Sequence, residues 1–300
     1  MKTLYNVLFL ICVFCNAYPI SQKTVSRTDS IKIMSFNVLY TTSFESSIKT
    51  IKKSDADIIG LQESGEKRMK AIADTLGYSY HSFGKNSANL SDNDTGILTK
   101  LPIIETFDNG VLVQLNKNKS IAIFSVHLIP YPYEPYDLRD SKVGSVKEVI
   151  QSSNKNRLPQ IEILLSKINN FISRDTPIFL MGDFNEPSHL DWTQRAANHN
   201  MHFSREIEWP VSKALENIGL KDAYRVFYPD EVKNNGITWS NNITENEVYD
   251  RIDFIYHNIP VNWSLKSVNR IGGSDDKYSK IEVNDYQSDH YAIIAKYYLN

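Results

Sequence analysis

Residues 31–40, IKIMSFNVLY, alternate apolar and polar side chains and are rich in strand formers, so a period of two predicts a half-buried strand. The next segment, 45–56, places Ile48 and Ile51 on one face of a helix, and DIIGLQE (57–63) reads as a buried strand. EKRMKAIADTLG (66–77) is a helix that stops at a glycine, the residue best suited to the left-handed turn at a helix end. Strands follow at 78–83, 96–107, 110–115 and 120–128. Residues 129–156 read as a long irregular segment that opens with the Pro- and Tyr-rich IPYPYEPYD. The clearest amphipathic helix is 157–173, with Ile161, Leu164, Leu165 and Ile168 at helical spacing. An apolar strand from Ile178 to Met181 comes next, then helices near 191–199 and 210–218. Strands at 253–257, 261–271 and 291–299 complete the chain.

Helices and strands are interspersed, several strands follow one another as hairpins, and no linker-like stretch or internal repeat divides the chain. The pattern predicts one α/β domain over residues 31–300, with two β-sheets packed face to face and helices outside. A hydrophobic content of 41% and a charged content of 23% are those of a folded protein with a sizeable core.

The N-terminus stands apart. Lys2 precedes the apolar run LYNVLFLICVFC (4–15), and small residues at Cys15 and Ala17 fit a cleavable export signal over 1–17. That run is short for a spanning helix. Residues 18–30 form a polar leader, so the chain is expected to be secreted or periplasmic after cleavage near Ala17. Cys12 and Cys15 both lie in the signal, so the mature chain has no disulfide, thiolate metal site or cysteine nucleophile. Loss of Lys2 from the 33 basic residues leaves 32 against 35 acidic ones. That balance is no basic footprint for non-specific nucleic-acid binding.

Polar groups gather where the apolar runs stop. Asn37 closes the first strand, Glu63 the second, and His127 the run IAIFSVH. PIFLMGDFNEP (177–187) passes from apolar residues into Asp183 and Asn185, Asp253 opens DFIYH, and SDHY sets Asp289 and His290 before the last strand. Asp183 and Asn185 share one face if the extended conformation continues, although Gly, Asp, Asn and Pro are also the ordinary residues of a turn. Singly, the others have ordinary accounts as well: Asn37 as a turn cap, Glu63 as an ion-pair partner of Lys67, His127 as a hydrogen-bonded core histidine. Together, such groups converge only if the edges of the sheets meet in a cleft.

Seven blocks in this order, MSFNVL, IIGLQE, DTGILTKLPI, FSVHL, MGDFNEP, DRIDFIYH and SDHYAI, closely resemble the endonuclease/exonuclease/phosphatase superfamily, which has the fold of DNase I. The resemblance spans about residues 31–299. It implies a four-layered α/β sandwich and divalent-metal-dependent phosphoester hydrolysis. Oxygen ligands without thiolates suit a hard cation, Mg²⁺ with Mn²⁺ as a substitute. Glu63 is the foremost ligand candidate, with Asn37 beside it and Asp289 completing the shell directly or through water. Resemblance and position together make Asp183 the base or water-orienting group, with Asn185 donating to a phosphate oxygen. His127 and His290 are expected to donate to the non-bridging oxygens, and Asp253 to orient His290 and raise its pKa. Hydrolysis is then one direct displacement by water.

The substrate is less legible. Arg157 and Trp239 resemble family positions near the cleft, against ordinary accounts as a helix-end surface Arg and a core Trp. Tyr131, Tyr133 and Tyr136 follow His127 closely and are candidates for a cleft wall or for contact with a membrane surface; a Pro-rich loop packed on itself is the ordinary account. The reading favours a small or lipid-derived phosphoester taken by a monomer. The alternatives are a secreted nuclease acting on nucleic acid, and a non-catalytic binding module on the same fold.

Overall fold

The structure, a computed structural model, describes residues 29–84, 94–241, 246–274 and 278–299. The export signal and the leader up to residue 28 lie outside the described residues. Two mixed sheets pack face to face. The first comprises β1 (Ser30–Asn37), β2 (Ile58–Gln62), β3 (Ser79–Ser82), β4 (Gly96–Thr99), β11 (Trp263–Gly273), β12 (Ile281–Val283) and β13 (Ala292–Leu299), in the order β12-β11-β13-β1-β2-β4-β3. The second comprises β5 (Ile103–Phe107), β6 (Gly110–Asn116), β7 (Lys119–His127), β8 (Ile178–Asp183), β9 (Lys221–Asp222) and β10 (Asp253–Asn258), in the order β5-β6-β7-β8-β10-β9.

Strand alternation divides the apolar residues into layers. Ile33 and Ile58 of the first sheet meet Ile123, Phe179, Met181 and Ile255 of the second in the central core. The other face of the first sheet packs Met34, Phe36 and Ile59 against Ile51 of α1 (Phe44–Ser54) and Met69 and Ile72 of α2 (Glu66–Leu76). The other face of the second packs Phe124 and Leu180 against Ile161, Leu164 and Ile168 of α5 (Leu158–Ile172) and Leu215 of α7 (Pro210–Asn217). This is the expected four-layered α/β sandwich, a DNase I-like fold. The sheets approach so closely at Gly60 that a Cβ there would meet the Met181 side chain at 2.6 Å and Ser125 Oγ at 2.9 Å.

Register sets the polar strand ends side by side. Parallel β7 and β8 pair His127 with Asp183, and antiparallel β8 and β10 pair Asp183 with Asp253. Across the interface, parallel β1 and β2 pair Asn37 with Gln62, the residue before Glu63.

Three expectations change. The single strand over 96–107 is two, β4 and β5, in different sheets; the chain bends at Lys100 and Leu101, and Pro102 has no N–H to donate to a ladder, so the strand is interrupted there. The segment 129–156 is not irregular. It contains α3 (Glu134–Arg139) and α4 (Val146–Asn156), the latter opened by a capping box between Ser145 and Glu148. Only Val149 and Ser153 of α4 are buried, which leaves little apolar period to read. Finally, the extended conformation of β8 ends at Asp183: Asn185 has φ 49° and donates its backbone N–H to Asp183 Oδ1 at 2.9 Å. The backbone there is a turn. The remaining α-helices of the described residues are α6 (Gln194–Asn198) and α8 (Ala223–Phe227), with a 3-10 turn at His202–Ser204 between them.

Candidate active site

Where the strand ends meet lies a cleft of about 290 Å³ whose lining includes Glu63, His127, Asp183, Asn185, Asp289 and His290. Asp183 Oδ2 is its pivot. It accepts from Asn37 Nδ2 at 3.0 Å and faces His127 Nε2 at 3.7 Å and His290 Nε2 at 3.6 Å. Each imidazole is held from behind by a carboxylate: His127 Nδ1 by Asp94 Oδ2 at 2.7 Å, His290 Nδ1 by Asp253 Oδ2 at 2.8 Å. Burial lowers the affinity of His290 for its proton, but the charges of Asp253 and Asp183 and the Asp253 hydrogen bond outweigh it and lift its pKa to about 10. His127 is raised by the same contest, burial against its hydrogen bond to Asp94 and the charges of Asp183, Asp94 and Glu63. Burial pushes the Asp183 carboxyl above the usual carboxylate range; Asp253 adds to this, while His290 and His127 oppose it.

The side chains of Asp183 and Asn185 both reach the cleft although the strand does not continue between them. Asn185 gives one amide hydrogen to Leu128 O at 2.9 Å, leaving the other for a ligand. Glu63 turns to Asn37 Nδ2 at 3.0 Å, and no ion pair joins it to Lys67 among the described residues. Leu39, Glu63 and Asn185 all have positive φ, conformations costly for non-glycine residues and concentrated at functional sites.

The flanking candidates divide. Trp239 lines the cleft with its ring 4.8 Å from that of His290. Tyr131, Tyr133 and Tyr136 form its wall. Only Tyr131, 66% exposed, keeps a free face for a membrane surface. Tyr133 is buried with its hydroxyl donating to Asp250 at 2.9 Å, and half-buried Tyr136 donates to Glu247 at 2.6 Å. Arg157 does not contact the cleft. It is fully buried behind the wall, ion-paired with Glu134 and Glu186, and donates to Ile129 O at 3.1 Å and Pro132 O at 2.8 Å. A guanidinium that must satisfy five donors was drawn inward by those carbonyls and carboxylates. Two residues escaped sequence reasoning: Asp94 and Tyr40, whose hydroxyl donates to Asp94. Asp94 stands in the block DTGILTKLPI, but nothing local pairs it with His127, 33 residues away.

The family model of the Endonuclease/Exonuclease/phosphatase family matches residues 34–290. The chain belongs to that family. A relative in Caenorhabditis elegans, an uncharacterized protein, is 32% identical over 98% of this chain and 99% of its own length. Among solved structures, TDP2 from C. elegans is similar at 18% identity, with a TM-score of 0.55 over 90% of this chain and 75% of that one. D. rerio TDP2 complexed with a single-strand DNA product has 16% identity and a TM-score of 0.53 over 91% of this chain and 100% of that one. An endonuclease/exonuclease/phosphatase family protein from Leptotrichia buccalis reaches 0.56 at 16% identity, over 90% and 100%. Members of the Endonuclease/Exonuclease/phosphatase family are in general metal-dependent hydrolases of phosphoester bonds, nucleases among them.

The donor set fits a divalent cation. Glu63, Asp183 and Asp289 face one another across a lining that holds no Lys or Arg among the described residues. Burial raises the Asp289 carboxyl; His290 opposes, and the charges of Glu63 and Asp183 add to the rise. Asp289 Oδ1 is buried with no hydrogen-bond partner. Such an excess of carboxylate is what a hard cation relieves. Asp183, Asp253 and His290 also cluster within ligating distance of one another. That trio is the poorer site, because His290 Nδ1 is spent on Asp253 and the ring holds its proton. Asn37 turns its nitrogen to the carboxylates and its oxygen to Leu39 N–H at 3.1 Å, so in this arrangement it braces Glu63 and keeps one lone pair on its oxygen.

Proposed function

We propose that the chain is an exported Mg²⁺-dependent phosphoester hydrolase acting on a small or lipid-derived phosphoester. The observation that carries this reading is the convergence of two carboxylate-backed imidazoles and one amide on Asp183 Oδ2, beside the Glu63 and Asp289 carboxylates. Held by Glu63 and Asp289, a divalent cation would neutralise phosphate charge and stabilise the leaving oxygen. Asp183 orients the attacking water and takes its proton; a carboxyl raised by burial is suited to that task. His127 and His290 donate from Nε2 to the non-bridging oxygens as charge grows there, and the free amide hydrogen of Asn185 adds a third donor. Asp94 and Asp253 keep the rings in one orientation.

The lining favours a compact substrate over a long polyanion. Tyr40, Tyr131, Tyr133, Tyr136 and Trp239 make up much of it, and among the described residues its lining holds no guanidinium or ammonium to neutralise successive phosphates. Export rests on the 1–17 segment alone; a mature N-terminus at residue 18 on protein recovered outside the cytoplasm supports it, and an intact Met1 there would retire it.

The test is ³¹P NMR of residues 18–300 with Mg²⁺ and a mixture of an oligonucleotide, sphingomyelin micelles, an inositol phosphate and a sugar phosphodiester. One resonance other than the oligonucleotide lost only when Mg²⁺ is present is the expected result. Consumption of the oligonucleotide alone would move the reading to a nuclease, and turnover undiminished by EDTA would overturn the mechanism.

A further inference from the structure

Asp253 and His290 form one of the two carboxylate–imidazole pairs of the cleft, with His290 Nδ1 2.8 Å from Asp253 Oδ2. The two residues come from different sheets. Asp253 opens β10 of the second, and His290 lies just before β13 of the first. No ladder joins those strands among the described residues: β10 pairs with β8 and β9, and β13 with β1 and β11. Ladder bonds fix the register of strands within a sheet. A pair that spans two sheets lacks them and needs another tie.

Thr238 supplies it. Its Oγ1 accepts from Ile252 N at 2.9 Å and from Asp253 N at 3.0 Å. Its carbonyl accepts from Tyr291 N, the amide next to His290, at 2.8 Å, and its own N–H donates to Asp250 O at 3.0 Å. Trp239 continues the tie with isolated bridges to Asp250 and to His290. His290 is bound to its own sheet by Ser288, whose Oγ accepts from His290 N at 3.1 Å and donates to Asn37 O at 2.7 Å. Satisfying two buried amides would stabilise any loop. What distinguishes Thr238 is that its other polar group reaches across to the backbone beside the histidine that Asp253 must meet. Thr238 is fully buried and is not among the residues that line the cleft, so it acts through others.

We propose that Thr238 is a positioning residue of the reaction: its hydroxyl oxygen and its carbonyl set Asp253 against His290, so that the ring presents Nε2 to the phosphate. The effect on turnover rests on the phosphoesterase reading; the geometric part does not, and it is measured without substrate.

At one neutral pH, the low-field Nδ1–H resonance of His290 is recorded in ¹⁵N-histidine-labelled chain and assigned by its loss in His290→Gln. Thr238→Val keeps the shape and removes the acceptor. It should shift that resonance upfield or broaden it away, while the His127 resonance, backed by Asp94, stays in place as the internal reference. Thr238→Ser keeps the oxygen and should return the His290 signal. With bis(4-nitrophenyl) phosphate and Mg²⁺, kcat and kcat/KM should fall together in Thr238→Val, on the order of 10²-fold, and recover in Thr238→Ser. Added to Asp253→Asn, Thr238→Val should cost little more, since both act on one ring. An unchanged His290 resonance in Thr238→Val overturns the proposal whatever the turnover, as does equal impairment of the valine and serine variants. Losses that multiply across Thr238→Val and Asp253→Asn overturn action through Asp253. Should Thr238→Val fail to melt cooperatively, Thr238→Cys, whose sulfur is a weak acceptor, is judged by the same outcomes. A parent chain inert towards this diester counts against the phosphoesterase reading alone; the resonance still decides the positioning.

Discussion

His127 ends β7 of the second sheet and His290 lies just before β13 of the first, and both turn their Nε2 atoms to the same oxygen, Asp183 Oδ2, at 3.7 and 3.6 Å. Both distances exceed a hydrogen bond, so Nε2 of each ring, when the imidazole is protonated, is left to donate to a phosphate. Asp183→Asn preserves shape and removes the charge between them. Turnover is expected to fall about 10²–10⁴-fold and the melting temperature to fall with it, because both carboxylate oxygens accept a hydrogen bond, from Asn185 N–H and Asn37 Nδ2, and the amide sets an NH2 against one of these donors. A loss of less than tenfold in kcat would remove Asp183 from the water-activating role.

Metal dependence should be reversible and should report on Asn37. EDTA is expected to abolish turnover, and added Mg²⁺ to restore it. Asn37 donates to Glu63, so Asn37→Ala should raise the Mg²⁺ concentration for half-maximal activity about 10–100-fold. An unchanged Mg²⁺ titration would mean that Glu63 is not braced for a cation.

Arg157 should behave as a buried structural charge. Arg157→Met leaves Glu134 and Glu186 buried and unpaired, and loss of one partner of a buried pair costs about 3–5 kcal/mol. Urea unfolding measures it. Weakened substrate affinity with unaltered stability would return Arg157 to the cleft.

His257 predicts an acid limb in stability. Burial, with Lys221 adding, holds its pKa down to about 4, below the ordinary value near 6.5. The unfolded chain therefore takes up this proton first as pH falls. Stability from this group is complete above about pH 6.5 and is lost as pH drops towards 4, by on the order of 3 kcal/mol. Melting temperatures from pH 7 to 4 should fall less steeply in His257→Gln than in the parent chain; parallel curves would refute the assignment.

Much of the fold was written locally. Alternation in 31–40 and the unbroken apolar run before Gly182 each specify a strand, because burial of alternate or of all side chains leaves its period in the sequence. The same runs mark where the strands stop, so Asn37, Glu63, His127, Asp183, Asp253, Asp289 and His290 could be named before any contact was known. What the tertiary structure alone decided is partnership. Asp94 backs His127, Asn37 braces Glu63, and Arg157 turns inward to Glu134 and Glu186. Period and composition record how deeply a residue is buried and what it can bond. Which distant group meets it is set by strand register and by the packing of one sheet on the other, and neither leaves a mark on neighbouring residues.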